Sequence, residues 1–357
     1  MNKLIHRAYF ISIAIILVII LTFQGSVRNE LRRYGIKDML RFVSYSNNIT
    51  IAQSMKYHST FDVFYSPVQW MNISLPGDRV RSVDQEITRS IRSRTLQALC
   101  QVEKKNDTKN LSEKEKTTLY RQIIVDDQRR FLFCFIPKVA CSNWKRVIKV
   151  MQGTLDPESK GKMDHHSGMT FLQDNEQNLA RLKLKHFYKF MFVRHPLERL
   201  LSAYRNKFGE NIGDYRRRYG SKIIRAYRPK SKAREAFMKG DLSITFEEFL
   251  RFLIDSDTST MDVHWKPMHE LCQPCAVHYD FVGSFEQLRE DADFVLGRIR
   301  GNSTVSFPKR QGYYRPTTPD TLISELSKVR PIVLQQLVDK YILDFALFGY
   351  SAPSLDV

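Results

Sequence analysis

Three short apolar segments, each followed by a helical pattern, constrain the fold of this chain most. Residues 131–136 (FLFCFI) and 187–193 (FYKFMFV) have almost no polar positions, which is typical of strands buried on both faces of a sheet. After the first strand, apolar residues recur along one face of a helix, at Trp144, Val147, Ile148 and Met151. Residues 277–283 repeat the strand pattern before another helix. The alternation predicts an α/β fold, a mainly parallel sheet flanked by helices.

An uncharged apolar segment near the N-terminus, residues 8–23, indicates a membrane anchor. As a helix it would span about 24 Å, and a thin membrane tolerates the mismatch with a roughly 30 Å hydrocarbon core. Lys3 and Arg7 precede it and favour a cytosolic N-terminus. We therefore expect a single-pass type II protein, with a cleaved signal peptide as the alternative. The predicted organisation is a cytosolic tail (1–7), the anchor (8–23), a lumenal stem (24–118), a catalytic domain (119–352) and a C-terminal tail (353–357).

Glycosylation signals and cysteines agree with a location outside the cytosol. N-x-[ST] sequons occur at Asn48, Asn72, Asn106, Asn110 and Asn302. The 5 cysteines allow one or two disulfides and leave at least one thiol. Cys272 and Cys275 have CxxC spacing, but a zinc site would need two further ligands. A structural disulfide, local or long-range, is therefore the favoured interpretation of this pair.

The charge of the chain is strongly positive and unevenly distributed. Lys and Arg number 56 against 38 Asp and Glu, a net charge of +18. Residues 181–240 alone hold 18 basic residues and four acidic ones, a net charge of +14. Such a block suggests an anionic partner, whether a nucleic acid, an anionic lipid or a polyanionic sugar. The predicted anchor and the sequons disfavour a nucleic acid.

The loop after the first strand has the features of an anion site. A helix that begins directly after a strand presents free backbone N–H groups and its positive dipole end. Small residues in this loop allow close approach of a ligand, and a lysine adds positive charge. Because the loop lacks glycine, it is not a Walker A sequence. The predicted anion-binding residues are Pro137, Lys138, Val139, Ala140, Cys141, Ser142 and Asn143.

A second candidate anion site follows the strand of residues 187–193. Arg194 lies at the carboxyl end of this strand, where open α/β sheets bind ligands. Arginine offers paired donors to a phosphate, and Ser202 offers a hydroxyl two helical turns later. The predicted site spans Arg194, His195, Pro196, Leu197, Glu198, Arg199, Leu200, Leu201 and Ser202.

Together, the two loops resemble the motifs of Golgi carbohydrate sulfotransferases. I-P-K-V-A-C-S-N-W-K-R resembles their 5′-phosphosulfate loop, and F-V-R-x-P-x-E-R-L-x-S-A-Y resembles their 3′-phosphate motif. The likeness covers nearly all of residues 119–352 and includes the CQPC segment and the Tyr-Ile-Leu-Asp-Phe segment at 341–345. These segments resemble the branch that sulfates the 4-hydroxyl of N-acetylgalactosamine in chondroitin and dermatan, and the dermatan enzyme most.

This resemblance implies a P-loop-like sulfotransferase fold in the Golgi membrane, with a lumenal catalytic domain. It implies 3′-phosphoadenosine 5′-phosphosulfate (PAPS) as sulfate donor, no metal, and glycosaminoglycan chains of proteoglycans as acceptors. Lys138 and the backbone N–H groups of its loop would stabilise the charge that develops on the leaving group. Arg194 and Ser202 would hold the 3′-phosphate and so align the donor.

The acceptor hydroxyl needs a base, and histidine suits that role near neutral pH. His165 lies between the two anion-binding motifs and is our predicted base; His195, Glu198 and His264 are the other candidates. The predicted acceptor-binding residues are cations that would pair with uronates and sulfates: Arg216, Arg217, Arg218, Lys222, Arg225 and Arg228. Arg310 and Arg315 complete the predicted set and would contact either the sugar or the donor.

Two other functions remain open on the sequence. A metal-dependent Golgi glycosyltransferase would have a similar layout, and Asp255-Ser-Asp257 and Asp291-Ala-Asp293 match its D-x-D motif. The second D-x-D falls on a predicted helix, which is a poor place for a metal-binding loop. A glycosaminoglycan-binding lectin would explain the basic block but not two anion sites at strand ends.

Overall fold

The computed structural model describes residues 78–101, 106–159, 164–165, 167–210, 214–308 and 317–353. The strands are β1 (Ile123–Asp126), β2 (Phe131–Cys134), β3 (Thr170–Phe171), β4 (Tyr188–Val193) and β5 (Phe281–Ser284). The helices of the first half are α1 (Asp78–Cys100), α2 (Glu113–Gln122), α3 (Cys141–Met151), α4 (Gln177–His186) and α5 (Pro196–Tyr204). Those of the second half are α6 (Ser221–Tyr227), α7 (Lys230–Met238), α8 (Phe246–Asp255), α9 (Met268–Cys272), α10 (Pro274–Val277), α11 (Leu288–Ile299), α12 (Pro319–Leu326) and α13 (Pro331–Leu347). Between α5 and α6 the chain continues in two π-helical segments, Arg205–Glu210 and Arg216–Gly220.

The sheet is mixed rather than mainly parallel. Its strand order is β3-β1-β2-β4-β5, in which β2, β4 and β5 are parallel and β1 is antiparallel to both β2 and β3. Only residues 127–130 join β1 to β2, and so short a connection forces antiparallel pairing. The expectation of a flanked α/β sheet is confirmed, and the antiparallel edge is a correction to it.

The third predicted strand begins later than its apolar pattern suggested. Residues 274–277 form α10, and β5 starts only at Phe281. Within β5, a Cβ on Gly283 would lie 2.4 Å from an atom of the Phe192 ring. Only glycine therefore lets β5 pair closely beside β4 at this position.

Aromatic packing fixes α3 against the sheet. Trp144 is fully buried, and its ring centroid lies 5.1 Å from those of Phe190 and Phe192 and 5.5 Å from that of Phe133. Because α3 and β4 share these contacts, the loop before α3 and the loop after β4 are held in one frame. The candidate site lies at those two loops.

Two long-range disulfides attach the N-terminal helix and the CxxC segment to the sheet. Cys100 at the end of α1 pairs with Cys275, and Cys134 in β2 pairs with Cys272, which leaves Cys141 as a thiol. The expectation of structural disulfides with a thiol left over is confirmed. Leu96 and Cys100 of α1 are buried in the core, so packed structure extends upstream of residue 119, where we expected the catalytic domain to begin.

No helix among the described residues is both long and apolar enough to cross a membrane. The predicted anchor, residues 8–23, lies outside the described residues, as do Asn48, Asn72, Arg310 and Arg315.

Candidate active site

The loops after β2 and β4 lie at the same edge of the sheet. The two strands are parallel, with Cys134 opposite Met191, so their carboxyl ends coincide. The third parallel strand, β5, ends there too, with Ser284 opposite Val193. The structure therefore brings together both sequence-predicted anion sites and adds the segment after β5.

The loop before α3 has the backbone geometry of an anion nest. Lys138 and Ala140 both have positive φ, 71° and 54°, which is rare for residues other than glycine. Alternation of left-handed residues with their neighbours turns successive N–H groups toward one point, where an anion binds. The N–H groups of Cys141 and Ser142, in the first turn of α3, have no hydrogen-bond acceptor among the described residues. Such backbone strain is typical of functional sites.

Arg194 joins the two loops physically. Its side chain is buried, 4% exposed, and one guanidinium nitrogen donates to the Lys138 carbonyl at 3.3 Å. Nε and the other nitrogen donate to the Glu198 carboxylate at 3.3 and 3.2 Å, and the guanidinium lies 4.1 Å from the Phe285 ring centroid. Burial raises the pKa of Glu198, and the charge of Arg194 opposes that rise. A fixed cation therefore faces the end of the nest.

Arg199 holds the nest from behind. Its side chain is 1% exposed and donates hydrogen bonds to the carbonyls of Pro137 (3.1 Å), Lys266 (2.8 Å) and Val263 (3.0 Å). The guanidinium thus ties the start of the loop to the segment of residues 263–266. Its role in the structure is to position the loop, since its donors face three backbone carbonyls.

The other side chains of the second motif lie mostly inside the protein. Pro196, Leu197, Leu200 and Leu201 are buried in the apolar stripe of α5, and Ser202 is 7% exposed. The imidazole of His195 packs edge-on against Phe345 and Tyr350, and burial lowers its pKa to about 4. The ring therefore lies inside the protein in its neutral form.

His165, the predicted base, lies beside α3. Lys145 donates to the His165 carbonyl and Lys149 to the Asp164 carbonyl, both at 3.0 Å. The Lys145 ammonium lies 3.6 Å from the Phe135 ring centroid, and burial lowers its pKa to about 8. These bonds fix the backbone of the segment, and the catalytic role of His165 stays a prediction.

The predicted acceptor-binding cations divide into those already engaged by the protein and those that face solvent. The Arg228 guanidinium donates to both carboxylate oxygens of Glu248, at 2.6 and 2.9 Å, and to a backbone carbonyl. Arg216 donates to the Phe208 carbonyl at 2.6 Å, Arg217 pairs with exposed Asp214, and Arg218 stacks over Tyr219. Lys222 and Arg225 form no ion pair among the described residues.

A cluster of polar residues that the sequence patterns did not single out as a group lies near the nest. His264 Nδ1 lies 2.6 Å from Asp262 Oδ1, and the Tyr215 hydroxyl lies 3.2 Å from both Asp262 Oδ2 and His264 Nδ1. The Lys207 ammonium lies 4.4 Å from the Tyr215 ring centroid. We call Lys207, Tyr215, Asp262 and His264 the histidine cluster. An aspartate two residues before a histidine was its only local signal in the sequence.

Three of the four D-x-D aspartates accept structural hydrogen bonds. Asp291 is fully buried and accepts hydrogen bonds from Arg89 at 2.6 Å and from the Ser284 N–H at 2.7 Å. Asp255 accepts from the Tyr227 hydroxyl, and Asp257 caps a short 3₁₀ turn. No group of three or more His, Cys, Asp or Glu within the described ranges could hold a metal ion.

Comparison with known proteins identifies the family. The sulfotransferase family matches residues 121–351. Carbohydrate sulfotransferase 14 from Homo sapiens is 49% identical over 279 residues, 78% of this chain and 73% of the relative, and its Danio rerio counterpart is 47% identical over 78% and 76%. Carbohydrate sulfotransferase 11 from Rattus norvegicus is 38% identical over 66% of this chain and 68% of the relative. No solved structure matches the chain significantly. The chain therefore belongs to the sulfotransferase family, and it is a sulfotransferase enzyme related to the carbohydrate sulfotransferases.

Proposed function

We propose that the protein transfers sulfate from PAPS to the 4-hydroxyl of N-acetylgalactosamine in dermatan sulfate, with chondroitin as a second acceptor. One observation carries this proposal: the backbone nest before α3 and the buried Arg194 meet at one edge of the sheet, 3.3 Å apart at the Lys138 carbonyl. The two sites together suit a donor with anionic groups at both its 5′ and 3′ positions. The sulfation position and the acceptor follow from the resemblance to dermatan 4-sulfotransferase.

The residues of the site fit the donor chemically. The N–H groups of Cys141 and Ser142, unpaired within the described part of the chain, suit the 5′-phosphosulfate together with the dipole of α3. Arg194 suits the 3′-phosphate, because a guanidinium offers paired donors to a phosphate. In the structure the only carboxylate that these donors bond, among the described residues, is that of Glu198. Ser202 lies on α5, the helix that begins two residues after Arg194, and would add a hydroxyl donor.

The reaction needs little from the protein except alignment and charge. PAPS supplies an activated sulfuryl group with a phosphate leaving group. Lys138, at the turn between β2 and α3, would place its ammonium against the bridging oxygen where negative charge develops. Fixed donors in a partly desolvated site stabilise that charge without reorganising, and in many enzymes this stabilisation accelerates the reaction more than any other effect.

We place the protein in the Golgi membrane as a single-pass type II enzyme whose catalytic domain is lumenal. The predicted anchor at residues 8–23 supports this placement, and so do the sequons. Asn106, Asn110 and Asn302 are all exposed, so a glycan could be attached to each without disturbing the packing.

An open pocket between α6 and α7 is suited to an anionic glycan. It has a volume of about 480 Å³, and its lining includes Arg225, Lys230, Arg234 and Phe237. None of the three cations forms an ion pair within the described ranges, and the Arg225 guanidinium lies 5.2 Å from the Phe237 ring centroid. A uronate or sulfate of a distant sugar could pair with these cations while the sugar face packs on the ring.

Neutralising this pocket is expected to weaken binding of long acceptors. The triple variant Arg225→Gln, Lys230→Gln, Arg234→Gln should raise the KM for polymeric dermatan about tenfold, since three exposed pairs of about 0.5 kcal/mol each sum to roughly that factor. The kcat should not change, and the difference should shrink at high salt because the charges are screened. A matched triple variant at Arg181, Lys185 and Arg289, exposed cations elsewhere, should keep the KM. Equal KM values for both triple variants would refute the role of the pocket.

The donor and metal requirements test the proposed function. The purified protein should bind adenosine 3′,5′-bisphosphate in calorimetry and transfer sulfate from PAPS to desulfated dermatan at full rate in a chelator. Manganese-dependent transfer from a nucleotide sugar would instead favour the glycosyltransferase. Glycan binding without nucleotide binding would favour the lectin.

A further inference from the structure

Arg199, which supports the nest, also ties the histidine cluster to the loop before α3. Arg199 donates to the Pro137 carbonyl on one side and to the Val263 carbonyl on the other. Lys138 directly follows Pro137, and His264 directly follows Val263. His264 and the predicted catalytic lysine therefore flank one buried guanidinium.

The hydrogen bonds of the cluster select one form of the imidazole. Asp262 Oδ1 lies 2.6 Å from His264 Nδ1, so the carboxylate accepts the Nδ1–H and leaves the lone pair on Nε2. The backbone adds a second restraint, because the same Oδ1 also accepts the His264 N–H at 3.0 Å. A carboxylate that orients a histidine in this way also stabilises the imidazolium once a proton has been taken up.

We propose that Nε2 of His264, oriented by Asp262, accepts the proton of the acceptor hydroxyl. The inference rests on the proposed sulfotransferase reaction. The acceptor oxygen forms a bond to sulfur while the bond between sulfur and the bridging oxygen breaks. The electron pair of that bond leaves on the 5′-phosphate of adenosine 3′,5′-bisphosphate, and the hydroxyl proton moves to His264. Lys138, on the opposite side of Arg199, stabilises the negative charge on the leaving oxygen.

The charges that face His264 favour its neutral form. Burial lowers its pKa below the ordinary 6.5, the Asp262 carboxylate opposes this, and the cations Lys207 and Lys138 lower it further. The Tyr215 phenol, whose pKa is raised by burial and by Asp262, stays protonated beside it. A base must be neutral to act, so kcat should rise with pH through a midpoint below 6.5 and then level off.

The decisive experiment compares kcat in His264→Gln, His165→Gln and wild-type protein, with His186→Gln, an exposed histidine at the end of α4, as the matched control. His264→Gln should lower kcat by about 10²- to 10⁴-fold. It should keep the affinity for adenosine 3′,5′-bisphosphate, which shows that the fold is intact. The proposal is overturned if His264→Gln keeps a near-normal kcat. It is also overturned if His165→Gln lowers kcat as much as His264→Gln does.

The variant Asp262→Asn separates orientation from simple structural support. Loss of the carboxylate should lower kcat and move the acidic limb of the pH profile to lower pH, because the imidazolium loses its stabilising partner. A stable Asp262→Asn protein with an unchanged pH profile contradicts the proposal. If wild-type protein transfers no sulfate at all, the proposed function fails, and that outcome is distinct from an active His264→Gln variant.

Discussion

Replacing Lys138 by alanine is expected to lower kcat by about 10²- to 10³-fold, the usual cost of removing one donor from a charge-stabilising site. The lysine lies in the turn between β2 and α3, with a positive φ of 71°, and its own carbonyl is held by Arg194. The backbone is therefore fixed, and in our proposal the ammonium acts on the leaving group. Sulfate transfer from PAPS at saturating acceptor measures the effect.

The affinity for adenosine 3′,5′-bisphosphate should fall much less than kcat. In the proposed mechanism the product would bind through the backbone nest and Arg194, whereas Lys138 would act on charge present only during transfer. Lys185→Ala, which removes the same charge from an exposed position on α4, should leave both quantities unchanged. Near-normal turnover of Lys138→Ala would remove lysine from the mechanism.

Replacing Arg199 by methionine is expected to lower the free energy of unfolding by about 3–5 kcal/mol, since each of three buried acceptors left without its donor costs about 1–3 kcal/mol. The apolar stem would keep much of the packing, but the carbonyls of Pro137, Val263 and Lys266 would each lose a buried donor. Urea unfolding at constant pH measures the loss.

If Arg199→Met remains folded at low temperature, it should also transfer sulfate slowly, because Arg199 positions both the loop before α3 and the histidine cluster. Arg217→Met is the matched control. Its guanidinium is 74% exposed and pairs only with exposed Asp214 among the described residues, so its loss should cost no more than about 1 kcal/mol. A change below about 1 kcal/mol for Arg199→Met would contradict the structural role that we assign to it.

The strands and loops of the proposed donor site were predictable from the sequence because their signals are local. Residues 131–136 and 187–193 are continuous apolar runs of strand length, and each ends directly in a short polar loop. Parallel pairing of the two strands then brings Lys138 and Arg194 to one edge. The apolar pattern of each strand and the rule for parallel pairing were therefore enough to predict that the two loops meet.

Other features were missed because they depend on contacts between distant residues. The strand β1 contributes only three apolar residues, and the turn after it, not its composition, makes the sheet mixed. Arg228 lies in the same basic block as Arg225, so no local pattern separates them. In the structure Glu248, twenty residues later in the chain, pairs with Arg228. Tyr215 and His264 are 49 positions apart, so no spacing pattern could link them.

The proposed activity is tested most directly by transfer of radiolabelled sulfate from PAPS to desulfated dermatan and unsulfated chondroitin in parallel, with disaccharide analysis of the products. We predict label at the 4-position of N-acetylgalactosamine, with more on dermatan than on chondroitin, and at most about one hundredth as much with Lys138→Ala at the same enzyme concentration and time. A folded protein that binds adenosine 3′,5′-bisphosphate but labels neither glycan, or labels another position, would contradict the acceptor that we propose.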